Sequence, residues 1–212
     1  MHTSTSTSAR SSLTSRWRWR VVDIVVASVI GVAAGVIFWV WGQAWTPLST
    51  ALAFLPGLEG VLAGGWLFAG VLTGLIIRKP GAALYGEIVA AVVSMALGTQ
   101  WGFTTFIWGV VQGVGAELGF ALFAYANYRL WVALVSGALT GLAVALLDTN
   151  FSSIAAYDAA PRAIYFVSAI VSGILIAGLV SWLIARALAA TGALDRFASG
   201  RQARIVEAAD AA

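Results

Sequence analysis

Residues 105–127 read TFIWGVVQGVGAELGFALFAYAN, an apolar run long enough to cross a membrane as one helix. Two polar side chains interrupt it, Gln112 and Glu117. A carboxylate at that depth is costly unless it is paired, protonated or turned toward a cavity. The run therefore predicts a membrane-spanning helix with Glu117 as a candidate functional residue, and a helix-packing role for Glu117 is the alternative.

The composition of the whole chain indicates an integral membrane protein. Of its 212 residues, 60% are hydrophobic and 10% are charged, whereas a soluble domain carries about 25% charged residues. The chain has no cysteine, so disulfides and thiol chemistry are excluded. Its single histidine, His2, disfavours histidine-based zinc sites and serine–histidine hydrolysis. The only lysine, Lys79, does not belong to a P-loop, so the chain does not hydrolyse ATP by that route.

Six apolar segments follow a Ser/Thr-rich beginning, each near the roughly 20 residues that a spanning helix needs. They are residues 19–41, 59–77, 82–98, 105–127, 130–147 and 162–188. Continuous apolar runs favour helices over the alternating strands of a barrel. The predicted fold is an all-α, polytopic membrane protein with three parts: a disordered cytoplasmic tail (1–16), a six-helix transmembrane domain (17–190) and a cytoplasmic C-terminal tail (191–212).

The basic residues predict the orientation of this bundle. With six spans, all of the 12 Lys and Arg residues except Arg162 fall on one side. The positive-inside rule places that side, and with it both termini, in the cytoplasm of a cell that carries the chain in its plasma membrane. Three connections then face outward, about residues 42–58, 99–104 and 148–161. Two of them are long, which is typical of lids and binding loops.

Helical spacing predicts an outward-facing cavity with aromatic walls. Trp108 and Gln112 are four residues apart and share one face of their helix, whereas Glu117 lies deeper. The candidate substrate-binding residues are Glu59, Trp66, Glu87, Gln100, Trp101, Trp108, Gln112 and Glu117. Indole faces attract cations and stack on heterocycles, and an amide offers both a donor and an acceptor. Such a cavity suits a small, planar, polar or cationic solute, although membrane-interface anchoring is the alternative for any single tryptophan.

Small residues recur at four-residue spacing on the first helix, at Ala27, Gly31 and Gly35. Such spacing lets helix backbones approach closely. The stripe therefore indicates either packing inside the bundle or docking to a partner in the membrane, and both interpretations stay open.

Three motifs resemble a known family over about residues 20–190. They are Arg78-Lys79-Pro80-Gly81-Ala82-Ala83 followed by Glu87, Gly98-x-Gln100-Trp101-Gly102, and Gln112-Gly113-x-Gly115-Ala116-Glu117. They resemble the YkoE family, the substrate-binding S components of energy-coupling-factor (ECF) transporters. The resemblance implies a six-helix protein that takes up thiamine or its hydroxymethylpyrimidine (HMP) precursor. It also implies a transmembrane scaffold (T) subunit and two cytoplasmic ATPase subunits as partners.

The same resemblance implies site or site-supporting roles for Glu87, Gln100, Gln112 and Glu117. S components often dock through a small-residue stripe on the first helix, and the match here is the stripe from Ala27 to Gly35 with Gly31 between them. That stripe departs from the alanine pattern of the family, so its assignment to docking is the weaker inference.

The functional hypothesis is a vitamin-binding S component, without a cofactor, a metal, a nucleic-acid partner or catalytic activity of its own. The alternative is a proton-coupled secondary transporter of a small cationic or heteroaromatic solute, with Glu87 and Glu117 as the proton relay. A membrane-embedded enzyme is disfavoured because cysteine is absent and histidine is confined to His2.

Overall fold

The computed structural model describes residues 17–192 and residue 194, and within them all regular structure is helical. The six long helical segments are α1 (Val21–Ala51), α2 (Leu58–Ile77), α3 (Ala82–Ala96), α4 (Thr104–Ala121), α5 (Leu130–Phe151) and α6 (Ala159–Ala190), and a short 3₁₀ helix, Ser153–Ala156, lies between α5 and α6. Four of them, α1, α2, α5 and α6, are long and apolar enough to cross a membrane, and α3 is a shorter apolar helix. The predicted all-α class is confirmed for this part of the chain. The predicted tails lie outside the described residues, except for Thr191, Gly192 and Leu194.

Three helix ends differ from those predicted. α1 continues past Trp41 to Ala51 and includes Pro47. α4 ends at Ala121, because the backbone turns left-handed at Ala124 and Tyr125 (φ 48° and 53°), a conformation that a helix cannot continue through. α5 runs on to Phe151, and this extension places Asp148 on a helix instead of in a loop.

α2 is the central helix of the bundle. In the most apolar 18-residue stretch of α2, 78% of the residues are buried, whereas in the corresponding stretches of α1 and α6 only 33% are buried. It consists of a 3₁₀ segment, Leu58–Trp66, and an α-helical segment, Phe68–Ile77, which meet at Leu67. A new α-helical segment begins with N–H groups that have no partner inside the helix. Close to this change of winding, the Gly70 N–H donates to a side chain of α3.

α1 and α3 pack backbone to backbone along the small-residue stripe. A Cβ atom added at Gly31 would lie 2.7 Å from Val89, and one added at Gly35 would lie 2.6 Å from Val93. Ala27 is fully buried on the same face. The stripe is therefore occupied by α3, which corrects its assignment as a docking surface for a partner. The exposed face of α1 is instead apolar and β-branched, with Val21, Val25, Val29, Val32, Val36, Ile37 and Val40.

The start of α1, the α2–α3 turn and the α4–α5 connection meet at one end of the bundle, which we term the basic end. Lys79 Nζ lies 2.5 Å from Asp23 Oδ2, and Arg20 Nη2 lies 2.9 Å from Asp23 Oδ1. The Arg78 guanidinium lies over the Tyr128 ring, 5.0 Å from its centroid. The α1–α2, α3–α4 and α5–α6 connections lie at the opposite end, where the candidate site is found.

Candidate functional site

A cavity of about 370 Å³ lies at the end opposite the basic end. It is lined by Phe38, Trp45, Ala63, Trp66, Ala91, Thr99, Trp101, Thr104, Thr105, Trp108, Gln112, Val144, Asp148, Phe151, Ser152, Ser153, Ile154 and Tyr165. Its volume falls at the lower end of the range for small-molecule sites, about 300–1,000 Å³. All six helices and two of the connections supply lining residues, so the cavity depends on the whole bundle.

Three indole rings form one side of the cavity, which we term the tryptophan wall: Trp45, Trp66 and Trp101. The ring centroids are 5.4 Å apart for Trp66 and Trp101, 5.7 Å for Trp45 and Trp66, and 6.2 Å for Trp45 and Trp101. The rings meet at steep angles, between 56° and 89°. Trp66 is held in place because its Nε1 donates to the carbonyl oxygen of Phe38 at 3.1 Å. The wall offers both ring faces and ring edges to a bound solute.

Polar groups on α4 and α5 form a second side, which we term the polar wall: Thr105, Gln112 and Asp148. Gln112 is 6% exposed, and within residues 17–192 its side-chain amide has no hydrogen-bond partner, although its backbone oxygen accepts from Thr140 Oγ1. Thr105 Oγ1 is likewise buried without a partner among the described residues. A buried polar group without a partner is costly. The Gln112 amide, which lines the cavity, therefore has hydrogen-bonding capacity available to a ligand.

Asp148 is held by two neutral donors. Trp108 Nε1 donates to Oδ1 at 2.7 Å, and the Tyr165 hydroxyl donates to Oδ2 at 2.5 Å. Asp148 is 9% exposed and lies in the cavity lining. These bonds connect α4, α5 and α6 at the cavity.

Four of the eight predicted substrate-binding residues line the cavity: Trp66, Trp101, Trp108 and Gln112. The other four lie outside it. Sequence reasoning did not assign Trp45, Asp148 or Tyr165 to the site. Trp45 and Asp148 fall in the predicted outward-facing connections, and Tyr165 lies in the sixth apolar segment.

Gln100 and Glu59 support the walls from outside. Gln100 Nε2 donates to the carbonyl oxygen of Gly42 at 3.1 Å, which joins the α3–α4 connection to α1. The Glu59 carboxylate accepts from the Gly57 N–H at 2.8 Å and from the Tyr157 hydroxyl at 2.6 Å. The bond to Glu59, with burial and the negative charge beside it, raises the pKa of Tyr157 to about 12. Glu59 therefore ties the start of α2 to the α5–α6 connection.

Glu87 lies one helical turn below the cavity lining on α3. Its Oε2 accepts from the Gly70 N–H at 2.6 Å, and the residue is fully buried. That N–H belongs to the first turn of the α-helical segment of α2, where no intrahelical partner exists. Ala91, four residues further along α3, lines the cavity. Glu87 thus caps the second half of α2, and its Oε1 has no partner among the described residues.

Glu117 lies at the basic end and not at the cavity. Its carboxylate accepts from the backbone N–H groups of Gly81, Ala83 and Leu84 at 2.5, 2.9 and 3.2 Å. The Tyr125 hydroxyl donates to it at 2.8 Å. Burial and the bond to Glu117 raise the pKa of Tyr125. A carboxylate at a helix N-terminus satisfies free donors and complements the helix dipole, so Glu117 is the cap of α3.

Glu87 and Glu117, the predicted proton relay, accept hydrogen bonds from different helices. Glu87 bonds to Gly70 in α2, whereas Glu117 bonds to the first turn of α3. Within residues 17–192, no hydrogen bond joins the two carboxyl groups.

Comparison with known proteins places this architecture in a family. A family described as the permease component of an ABC-type cobalt transport system matches residues 22–143. Over 189 residues the chain is 35% identical to a Bacillus subtilis (strain 168) protein named as an HMP/thiamine permease, YkoE, covering 87% of this chain and 92% of the relative. The chain belongs to the YkoE family.

A solved structure has the same fold as this YkoE-family chain. It is a crystal structure of an S component of an ECF transporter, with a TM-score of 0.84 and 34% sequence identity. The match covers 92% of this chain and 99% of that chain. The chain is thus a multi-pass membrane protein and a homologue of transporter S components, a class of binding subunits and not of enzymes.

Proposed function

We propose that this chain is the vitamin-binding S component of an ECF importer and that thiamine or HMP binds in the 370 Å³ cavity. The observation that carries the proposal is the pairing of the tryptophan wall with the unpartnered Gln112 amide across one small cavity. The name of the Bacillus subtilis relative supports the same ligand class.

The two walls match the two halves of thiamine, an aminopyrimidine joined to a positively charged thiazolium ring. Indole rings stack on heterocycles and attract cations, so the tryptophan wall suits the ring faces. The Gln112 amide provides a donor and an acceptor, which match a ring nitrogen and the amine beside it. HMP has the pyrimidine half alone and would use the same polar edge.

A cobalt ion does not suit this cavity, despite the description of the matching family. In the part of the chain that the structure describes, no group of three or more His, Cys, Asp or Glu side chains could hold a metal ion. Cobalt sites in proteins use several nitrogen, oxygen or sulfur ligands at once. The substrate that the lining residues favour is organic.

The proposed orientation and partners follow from the charges and from the absence of a P-loop. The basic end faces the cytoplasm, with both termini, and the cavity faces outward. Because the sequence carries no P-loop, the energy must come from other chains: a T subunit and two ATPases.

Ligand titration of the purified chain tests the proposal. We expect thiamine or HMP to bind the wild type, and Trp66→Ala to weaken binding by roughly 10- to 100-fold through loss of stacking. Trp131→Ala is the matched control, because Trp131 is an exposed indole on α5 outside the cavity lining. Absence of binding by a folded wild-type chain to both compounds would contradict the proposed function.

The proton-coupled transporter keeps one supporting observation, the unpaired Oε1 of Glu87. Reconstitution of the chain alone in vesicles with a proton gradient separates the two candidates. An S component binds its vitamin there without concentrating it, whereas concentrative uptake would establish the transporter.

A further inference from the structure

Asp148 is the only carboxylate among the described residues that line the cavity, and no Lys, Arg or His accompanies it there. Its two hydrogen-bond donors, the Trp108 indole and the Tyr165 hydroxyl, are both neutral. They fix the orientation of the carboxylate without balancing its charge. An ionised carboxylate offers about four acceptor positions, so two bonds leave capacity for a ligand.

Asp23, the other buried aspartate in the part of the chain that the structure describes, is an example of a carboxylate with a balanced charge. Asp23, at the basic end, is fully buried and contacts both Lys79 and Arg20. Asp148 has no such ion pair with any residue from 17 to 192. A buried charge without a counter-charge is costly in a membrane. The missing positive charge at Asp148 is one that a ligand can supply.

We propose that Asp148 is the specificity-determining residue of the cavity and that it selects ligands carrying a positive charge. The proposal rests on the proposed function and adds the feature of the ligand that is recognised. Thiamine satisfies it through its thiazolium ring, which gains a counter-charge from Asp148 and aromatic contact from the tryptophan wall. Phosphate esters are rejected, because no basic side chain among the lining residues would balance a phosphate beside Asp148.

Asp148→Asn tests this selection, since it removes the charge and keeps the shape. Titrations with thiamine and with HMP are compared at mildly alkaline pH, where the aminopyrimidine of HMP is neutral. We expect thiamine to bind on the order of 10- to 100-fold more weakly, as for loss of a hydrogen bond to a charged group, and HMP to change by less than about threefold. The change in the thiamine-to-HMP affinity ratio is the informative quantity, because a general loss of structure would weaken both ligands.

Two further variants separate charge from local geometry. In Asp148→Asn the NH₂ group of the new amide would face one of two donors, the Trp108 indole or the Tyr165 hydroxyl. The substitution is therefore also combined with Tyr165→Phe, which removes the hydroxyl donor. Tyr165→Phe alone keeps the carboxylate and removes one of its donors, so it measures how much of a change in the affinity ratio comes from that hydrogen bond. Asp158→Asn is the matched control for charge removal, because Asp158 is exposed and outside the cavity lining; its affinity ratio should not change.

The possible outcomes divide cleanly. A fall in the thiamine-to-HMP ratio in both variants that carry Asp148→Asn, larger than in Tyr165→Phe alone and absent from Asp158→Asn, supports the proposal. An unchanged ratio, whether binding weakens or not, overturns it and leaves the proposed function intact. A wild type that binds HMP but not thiamine also overturns the proposal and leaves the proposed function intact. A folded wild type that binds neither compound overturns both.

Discussion

The two ends of this bundle use polar residues in opposite ways. At the basic end, Asp23 and Glu117 are engaged by backbone N–H groups, a lysine, an arginine and a tyrosine hydroxyl. At the cavity, Gln112 and Thr105 have no side-chain partners among the described residues, and Asp148 has only neutral ones. The carboxylates of the basic end hold helices together, whereas at the cavity the Gln112 amide and the unbalanced charge of Asp148 remain available to a ligand.

The difference shows that the depth of a charge in the membrane does not by itself indicate ligand binding. Glu117 and Glu87 lie deep within apolar segments, yet each caps a helix start. Such starts expose N–H groups that need acceptors. Unused hydrogen-bonding capacity beside a cavity distinguishes the candidate binding groups from the structural ones.

The largest loss of stability is expected where the backbones of α1 and α3 approach each other most closely. Gly31→Leu would drive a side chain into Val89 and the Gly86 carbonyl oxygen, and we expect a loss of about 3 kcal/mol in the free energy of unfolding. Thermal unfolding of the purified protein measures it. Val29→Leu is the control, because Val29 is 62% exposed on the outer face of the same helix. If Gly31→Leu is as stable as the wild type and fails only to assemble with a T subunit, the stripe is a docking surface after all.

A smaller loss of stability is expected from removing the cap of α3. Glu117→Ala leaves the N–H groups of Gly81, Ala83 and Leu84 without their acceptor, which we expect to cost about 2 kcal/mol. The same unfolding measurement applies, combined with thiamine titration of the folded fraction. Vitamin affinity should stay within about twofold of the wild type, since the cap lies outside the cavity.

The change in the free energy of unfolding should be smallest for substitutions at Glu87. Its size depends on whether the new side chain keeps an acceptor for the Gly70 N–H. Glu87→Gln retains an acceptor for the Gly70 N–H and is expected to change stability by less than about 1 kcal/mol. Glu87→Leu removes that acceptor and should cost about 1–2 kcal/mol. A large loss of stability in Glu87→Gln alone would show that the carboxyl group has a partner which the amide cannot replace.

Hydropathy and charge were enough to predict the helical class and the number of apolar segments, because a membrane demands long apolar helices from any sequence. Trp108 and Gln112 could be predicted as cavity residues because their four-residue spacing places them on one face of a helix. The roles of Glu87 and Glu117 could not. Those roles depend on a change of winding at Leu67 and on the α2–α3 turn, and both become visible only when helices are placed side by side.

Asp148 could not be predicted as a site residue because the predicted end of its helix is too early. The predicted end of the fifth segment at Leu147 left it in a connection, whereas α5 continues to Phe151 and turns the side chain toward Trp108 and Tyr165. An acidic residue one position beyond an apolar segment, with no basic residue near it in sequence, is the signal that could have singled it out.

The most direct test of the contrast between the two ends pairs Gln112→Ala with Glu117→Gln, each measured for thiamine affinity and for thermal stability. Gln112→Ala should lose affinity by roughly 10-fold with little change in stability, because its amide bonds to no described residue. Glu117→Gln should lose stability and keep its affinity within about twofold, because its carboxylate is engaged by the α3 start and by Tyr125. The reverse result, with affinity lost in Glu117→Gln and kept in Gln112→Ala, would place ligand recognition at the deep carboxylate and contradict the assignment of the cavity as the binding site.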